Sequence, residues 1–393
     1  MTVNNLSTIC PLPFNSISYS MAGRMGPCTN CSLTNYKPIE DYWNSPELKQ
    51  LRSDMINGIR NSACNECHRR EDIGAWNTRQ AMLPLIDSIN LENPEIKELS
   101  FRFSNVCNYM CVDCSWTTSS LIYQEEINRG RVEAQKNNKD KPFIINASGD
   151  PHSLLEQGKL HVHKVDKVIF SGGEPLTHWQ QWELLKYMVD NNIFPHLKYY
   201  TNLSRLTFKD YSAIEFWKQF KSIFIEIGFD AMDKKCEYFR KNMDFNKTIE
   251  NIREVKRHIP NSEIFIVITF TWLNAISAAD LFEYFLKNHP DIKITLNQVL
   301  HSQLDMQIAP PFKKVQINDA LDRMYKISEE YEYSRNDMIP GVKDMILGLK
   351  KYLWAEDRSE NFPEAIKWLR DLDEWRNQSF IEVFPEHLDL SEY

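Results

Sequence analysis

No lysine- or arginine-rich run interrupts the 393 residues, and the net charge is -8 with a pI near 5.8. The chain therefore lacks the electrostatic footprint of a nucleic-acid binder. Its first residues, Met1 to Leu12, have neither a basic start nor an apolar core, so no secretory leader is visible. Its longest apolar run, Ile264 to Phe270, falls far short of the roughly 20 residues that cross a bilayer. Without a leader, the nine cysteines read as metal ligands rather than disulfide partners. These absences predict a soluble, cytoplasmic protein with no membrane or nucleic-acid partner. What remains is 42% hydrophobic and 12% aromatic, ample for one large domain with attachments or two to three domains.

Eight of the nine cysteines lie in the first 114 residues, and three close a short stretch, Asn105 to Cys114. Cys107, Cys111 and Cys114 follow an alternating segment, Glu98 to Ser104, with Leu99, Phe101 and Phe103 on one side. That alternation predicts a strand, so the thiols leave a strand end on a tight loop. Thiolates are the soft ligands that iron–sulfur clusters and zinc prefer. Three can hold three corners of a cubane, and no fourth cysteine follows closely. Zinc, which usually takes four ligands and favours paired cysteines, fits the unequal spacing less well. The stretch resembles the cluster loop of radical S-adenosylmethionine (radical SAM) enzymes. That resemblance implies a 4Fe-4S cluster on Cys107, Cys111 and Cys114, with SAM completing the fourth iron.

Five more cysteines precede the loop: Cys10, Cys28, Cys31, Cys64 and Cys67. Asn15 to Tyr19 and the turn Met21-Ala22-Gly23-Arg24 predict a hairpin with Cys10 and Cys28 at its ends, Gly23 supplying a positive φ. A helix expected over Asp41 to Ile59 carries Leu48, Leu51, Met55 and Ile59 at helical spacing, and Cys64 and Cys67 close it. Folding that helix back on the hairpin gathers the thiols, and four of them can hold a second cluster. A zinc knuckle from Cys28, Cys31, Cys64 and Cys67 is the alternative. Cys31 is the thiol least expected as a ligand, and His68 is expected at the surface. Cys10, Gly23 and Cys28, the run Tyr42 to Ser45, and Cys64 with Cys67 resemble SPASM and twitch domains. Those domains carry auxiliary 4Fe-4S clusters and usually follow the barrel, whereas here the segment precedes it. Too few cysteines are present for two auxiliary clusters, which favours twitch.

The expected organisation is a twitch-like unit over 1–75, a bridge over 76–97, a partial (β/α)6 TIM-like barrel over 98–301 and a helical extension over 302–393. Strands are predicted near 98–104, 165–170, 196–201, 222–229, 263–270 and 292–298, alternating with helices near 115–130, 177–191, 209–220, 246–258 and 276–288. Residues 131–164 read as a long insertion, with His161 and His163 in a solvated loop. Over 312–376 the pattern is helical, with Trp354, Trp368 and Trp375 expected in the core, and Glu382 to Tyr393 reads as an acidic tail.

In α/β barrels, functional groups gather where strands end. The second strand runs into Gly172, Gly173, Glu174 and Pro175; glycines admit close backbone approach and Glu174 offers an anion. One βα unit after the cysteine loop, this turn resembles the motif that holds the methionyl amino group of SAM. The resemblance also implies SAM contacts from Asn202, from Glu226 as a ribose partner, and from Arg240 as the carboxylate ligand, a role suited to a bidentate guanidinium. Asp113 stands where the family usually has an aromatic residue against adenine, and Tyr109 is the candidate substitute. Cys236 is expected to be structural. The implied activity is reductive cleavage of SAM to a 5′-deoxyadenosyl radical that abstracts hydrogen from a peptide or small-molecule substrate, with an external electron donor. The competing reading is a zinc-stabilised binding protein on an inactive barrel.

Overall fold

The computed structural model describes residues 8–20, 23–74, 77–134, 143–299, 301–331 and 341–391. Among them, nine strands form one sheet: β1 (Ser16–Tyr19), β2 (Arg24–Gly26), β3 (Thr34–Asn35), β4 (Glu98–Arg102), β5 (Lys167–Ser171), β6 (His196–Thr201), β7 (Ser222–Gly228), β8 (Glu263–Phe270) and β9 (Lys293–Gln298). Their order across the sheet is β9-β8-β7-β6-β5-β4-β1-β2-β3. From β9 to β1 every neighbouring pair is parallel, and only β2 and β3 run antiparallel to their neighbours. The fold is α/β with a mostly parallel central sheet, and the six expected strands fall within a residue or two of their places.

Alternation explains how the sheet presents two different faces. On β7, Ile223, Ile225 and Ile227 are at most 2% exposed, while Phe224, Glu226 and Gly228 between them are half-buried. The isoleucines join one core with Leu184, Leu185 and Met188 of the helix Trp179–Asp190 and with Ile249, Ile252 and Val255 of the helix Phe245–His258. Burying each such side chain contributes about 1.5–3 kcal/mol. The other face carries polar residues as well as apolar ones, and it is the face that matters below.

The amino-terminal hairpin, expected in a unit of its own, is an edge of this same sheet. Ile17 lies opposite Leu99 and Ser18 opposite Ser100. Gly23 has φ +68, as its turn requires, while Met21 and Ala22 lie outside the described residues. The helix expected over Asp41 to Ile59 is two helices, Ile39–Trp43 and Pro46–Ile56. Ser45 breaks them: its hydroxyl accepts from Leu48 N and Pro46 opens the next turn.

Other expectations need correction. His68 is 4% exposed on the helix Asn65–Asp72, not at the surface. His161 ends a helix, Ser153–His161, and is buried beside Glu40, so the described part of the insertion is partly helical. The polar run Gln135 to Lys141 lies outside the described residues. The helix expected over 209–220 shortens to Ala213–Trp217 because a small antiparallel ribbon, Thr207–Phe208 with Tyr211–Ser212, takes its first turn. Among the described residues three long helices follow the sheet, Pro311–Glu330, Val342–Ala355 and Phe362–Arg376, and then a single turn, Phe380–Val383. Trp354 and Trp375 are 51% and 50% exposed, so they are surface residues, while Trp368 packs against the ring of His301. The acidic end is docked, with Phe384, His387 and Leu390 fully buried.

Candidate functional site

The loop after β4 is fixed by its own backbone and by three distant segments. Asn105 Oδ1 accepts from Ile145 N at 2.8 Å and Asn105 Nδ2 donates to Phe143 O at 3.1 Å. Cys107 N donates to Ser120 Oγ at 3.2 Å. Met110–Cys111 pairs antiparallel with Arg240–Lys241, and Val112 N donates to Phe239 O at 2.8 Å. The loop thus presents Cys111 buried and Cys107 and Cys114 half-buried. Burial pushes the Cys107 thiol up to about 12. Cys111 and Cys114 share a hydrogen bond that holds Cys111 protonated and lowers Cys114. A metal binding here displaces those protons.

The Gly-Gly-Glu-Pro turn braces the loop from beneath. A Cβ on Gly173 would lie 2.2 Å from Val106 O and 2.6 Å from Asn105 O, so only glycine lets the two backbones touch. Glu174 N donates to Val106 O at 2.7 Å, and His178 Nε2 donates to the same carbonyl at 2.9 Å. The Glu174 carboxylate does not face outward as expected. It is 1% exposed and accepts from Leu176 N (2.9 Å), Thr201 Oγ1 (2.6 Å) and Asn202 N (2.6 Å). Burial pushes its pKa up against those donors. Its role here is to tie the ends of β5 and β6 together, a buried carboxylate satisfied by hydrogen bonds. Pro175 continues the turn into a short 3₁₀ segment, Pro175–Thr177.

The remaining expected contacts divide. Asn202 is brought to the loop: its Nδ2 donates to Asn108 Oδ1 at 3.0 Å, and Asn108 Nδ2 donates to Ser204 Oγ at 2.9 Å. Arg240 also reaches it, with Nη1 3.7 Å from Cys111 Sγ. Its Nε, however, already lies 2.7 Å from Asp230 Oδ2, an ion pair whose N–H is not aligned on the carboxylate. Burial pushes Asp230 up to about 6 despite Arg240. Glu226 is not poised for a ribose: it pairs with Lys198 Nζ at 2.8 Å on the open face of the sheet. Tyr109 is 1% exposed and offers no ring face to adenine. Asp113 stays at the loop, one carboxylate oxygen buried without a hydrogen-bond partner and within 4.8 Å of the Cys111 and Cys114 sulfurs. Cys236 is buried against Met243 Sδ, as a structural cysteine should be.

Lys198, Asn108 and the Asp230–Arg240 pairing escaped the sequence reading. Each acquires its role from a partner on another strand or loop, and only the alternation of β6 and β7 could have placed Lys198 and Glu226 on one face.

The five amino-terminal thiols are brought together. Cys10, Cys28, Cys31, Cys64 and Cys67 line one cavity with Arg79. Burial pushes Cys28 up to about 12 and raises Cys10 and Cys67. Cys31 shares a hydrogen bond with Cys64 that raises Cys31 and lowers Cys64. The helix Pro46–Ile56 delivers this geometry by docking on the first residues: Arg52 Nε donates to Pro13 O at 2.7 Å and Thr8 Oγ1 to Met55 O at 2.9 Å.

Compared with known proteins, no curated relative matches the chain. Among solved structures it is similar to native anSMEcpe with bound AdoMet (16% identity, TM-score 0.40, covering 60% of this chain and 61% of that one). It is also similar to Streptococcus suis SuiB bound to S-adenosylmethionine (15%, 0.35, 71% and 61%) and to TYW1 with a lysine-pyruvate adduct bound (15%, 0.29, 57% and 70%). The chain thus spans about 61% of the length of the first two of these proteins. Residues 101–273 match the model of the Radical SAM superfamily, a stretch that takes in the cysteine loop, the Gly-Gly-Glu-Pro turn and Arg240.

Proposed function

We propose that the chain is a radical SAM enzyme with a second iron–sulfur cluster at its amino-terminal end. The observation that carries the first part is the loop of three thiols locked onto Gly173 by direct backbone contact. Cys107, Cys111 and Cys114 hold a 4Fe-4S cluster in this reading. When bound, the cluster supplies the electron that splits SAM into methionine and a 5′-deoxyadenosyl radical able to take hydrogen from a substrate. The chain's own residues position and enclose. Glu174 acts by fixing the turn and Asn202 by holding Asn108 of the loop. Arg240 is the cation beside Cys111 for the SAM carboxylate, and Gly172 to Pro175 form the wall beside the methionyl amino group.

The amino-terminal thiols fit a cluster better than one zinc ion. Tetrahedral zinc with bonds of about 2.3 Å would hold its sulfurs about 3.8 Å apart. Among the described residues, the only group of three ligand atoms within 4.8 Å of one another is Cys111, Asp113 and Cys114. No three of Cys10, Cys28, Cys31, Cys64 and Cys67 meet that spacing, although Cys31 and Cys64 share a hydrogen bond. A single ion on Cys111, Asp113 and Cys114 would leave Cys107 unused.

A peptide or protein substrate is the reading we favour, on the resemblance of the amino-terminal segment to twitch and SPASM domains, and an external donor supplies electrons. The test is anaerobic reconstitution followed by metal analysis and reduction with SAM. Iron and sulfide at both sites and formation of 5′-deoxyadenosine are expected. Zinc without iron, or reduced iron-replete protein that neither binds SAM nor makes 5′-deoxyadenosine, would sink the proposal. Replacing Cys107, Cys111 and Cys114 together with alanine should abolish SAM cleavage and leave the amino-terminal iron in place. Incubation with deuterated peptides or metabolites then identifies the substrate class by deuterium in 5′-deoxyadenosine. Transfer from a metabolite and from no peptide would remove the peptide reading.

A further inference from the structure

Arg102 is the last residue of β4, five positions before Cys107, and it points the opposite way to Phe101 and Phe103, which are buried in the core. It therefore stands on the open face of the sheet, next to the turn that braces the cysteine loop. Its Nε donates to Ser171 Oγ at 3.1 Å, the residue directly opposite on β5. Among the described residues no carboxylate pairs with it.

The other charges on this face are already matched. Lys198 pairs with Glu226 at 2.8 Å and lies over the rings of Tyr200 and Phe224 at 4.6 and 4.5 Å. Lys167 pairs with Glu98 at 3.1 Å. Glu263, opposite Phe224, pairs with Lys293 at 3.1 Å, and the Arg240 guanidinium over Gly228 pairs with Asp230, so among the described residues Arg102 is the cation of this face that no carboxylate meets. Burial lowers the Arg102 pKa, and the titratable groups whose charge opposes that are Tyr200 and Cys28. A cation withdrawn from water without a counter-charge is costly, and natural proteins keep such groups paired. With Nε engaged by Ser171, the guanidinium retains its Nη edge, which matches a carboxylate.

We propose that Arg102 is the anchor for a carboxylate of the substrate, held on the open face beside the cysteine loop; this rests on the radical SAM reading above. Tyr200, 40% exposed, and Phe224 supply the apolar surface for what the carboxylate is attached to. A chain carboxyl terminus or an acidic side chain meets that description, and so does a small carboxylic acid.

The experiment uses the full chain, anaerobically reconstituted and saturated with SAM. Binding of three probes is measured by saturation-transfer NMR: N-acetylphenylalanine, its amide, and phenyl phosphate. Wild type should bind the acid at least about tenfold tighter than the amide, since a charge-assisted bidentate contact is at stake. Arg102→Gln should bind the acid and amide alike, Arg102→Lys should recover part of the preference, and SAM affinity should stay within about twofold of wild type. Equal or undetectable binding of acid and amide by wild type overturns the inference without needing any variant. Preference for phenyl phosphate overturns the carboxylate assignment. Loss of SAM affinity in Arg102→Gln and Arg102→Lys, with iron retained, assigns Arg102 to SAM and overturns it as well. Failure of wild type to bind SAM at all would strike the radical SAM reading instead.

Discussion

Gly173 is the residue on which the loop geometry turns. A methyl group there would drive into Val106 O and Asn105 O, both backbone atoms of the cysteine loop. Gly173→Ala should therefore lose the iron held by Cys107, Cys111 and Cys114 while keeping the amino-terminal share. Iron quantification beside the triple-cysteine variant checks this, and full iron occupancy in Gly173→Ala would refute it. Arg240 illustrates a different dependence. Its removal leaves Asp230, fully buried, without a counter-charge, at a cost of about 3–5 kcal/mol. Loss of the guanidinium raises the Asp230 pKa above its value of about 6, so the deficit of Arg240→Ala in urea denaturation should shrink as pH falls towards 6 and change no further below it, where Asp230 is protonated in both proteins, and Asp230→Asn in the same background should recover most of it. The sequence marked Arg240 as a cation near SAM, but its partner was illegible. Asp230 and Arg240 meet only because the chain folds back from β7 through Asp233–Phe239 to the loop.

At the scale of elements, the cysteine loop is held by pieces the sequence did not connect. Arg376, at the end of the helix Phe362–Arg376, donates to both oxygens of Glu125 at 2.9 and 2.8 Å and to Met110 O at 2.9 Å. Both side chains of this ion pair are at most 3% exposed. The third helix of the carboxyl extension thereby clamps the loop and the helix Ser120–Asn128 behind it. Arg376→Ala should cost about 3–5 kcal/mol, since Glu125 is left buried and charged. It should also speed the loss of loop iron to a chelator under anaerobic conditions. Unchanged stability and unchanged iron release would show that the clamp does not matter. The helix expected over 246–258 is Phe245–His258, capped by Asp244, while the one expected over 115–130 is only Ser120–Asn128, because its cap is Ser119. Other helices were misjudged where a local competitor intervened, as at Ser45-Pro46 and at the ribbon before Ala213.

Over the whole molecule, the carboxyl end closes on the domain. His387 is fully buried, and its Nε2 donates to Leu273 O at 2.7 Å, within the radical SAM stretch. Burial holds its pKa down to about 4, below the ordinary value of 6.5; Lys313 lowers it further, while Leu273 O and the carboxylates of Glu386 and Asp389 raise it. The unfolded chain therefore takes up this proton first. The contribution is complete above pH 6.5 and is lost as pH falls towards 4, about 3 kcal/mol in all. His387→Gln keeps a donor for Leu273 O but cannot titrate, so its stability should fall less steeply between pH 6.5 and 4. Parallel slopes for the two proteins in chemical denaturation would exclude the effect.

The sequence by itself determined what depends on neighbours along the chain. Strand alternation, helix caps, the three-thiol spacing and the Gly-Gly-Glu-Pro turn are local, because side-chain period and turn geometry are set within a few residues. That much predicted the α/β sheet and the resemblance that residues 101–273 bear out. Only the tertiary structure decided what those groups face. Parallel pairing of β1 with β4 merged the amino-terminal hairpin into the central sheet and drew five scattered thiols to one cavity. Register across β4, β5, β6 and β7 turned Glu174 inward, matched Glu226 to Lys198 and left Arg102 with its charge unmatched. Such outcomes depend on which strands become neighbours, a choice made by packing between residues far apart in the chain, and a one-residue slip would send each of these side chains to the opposite face.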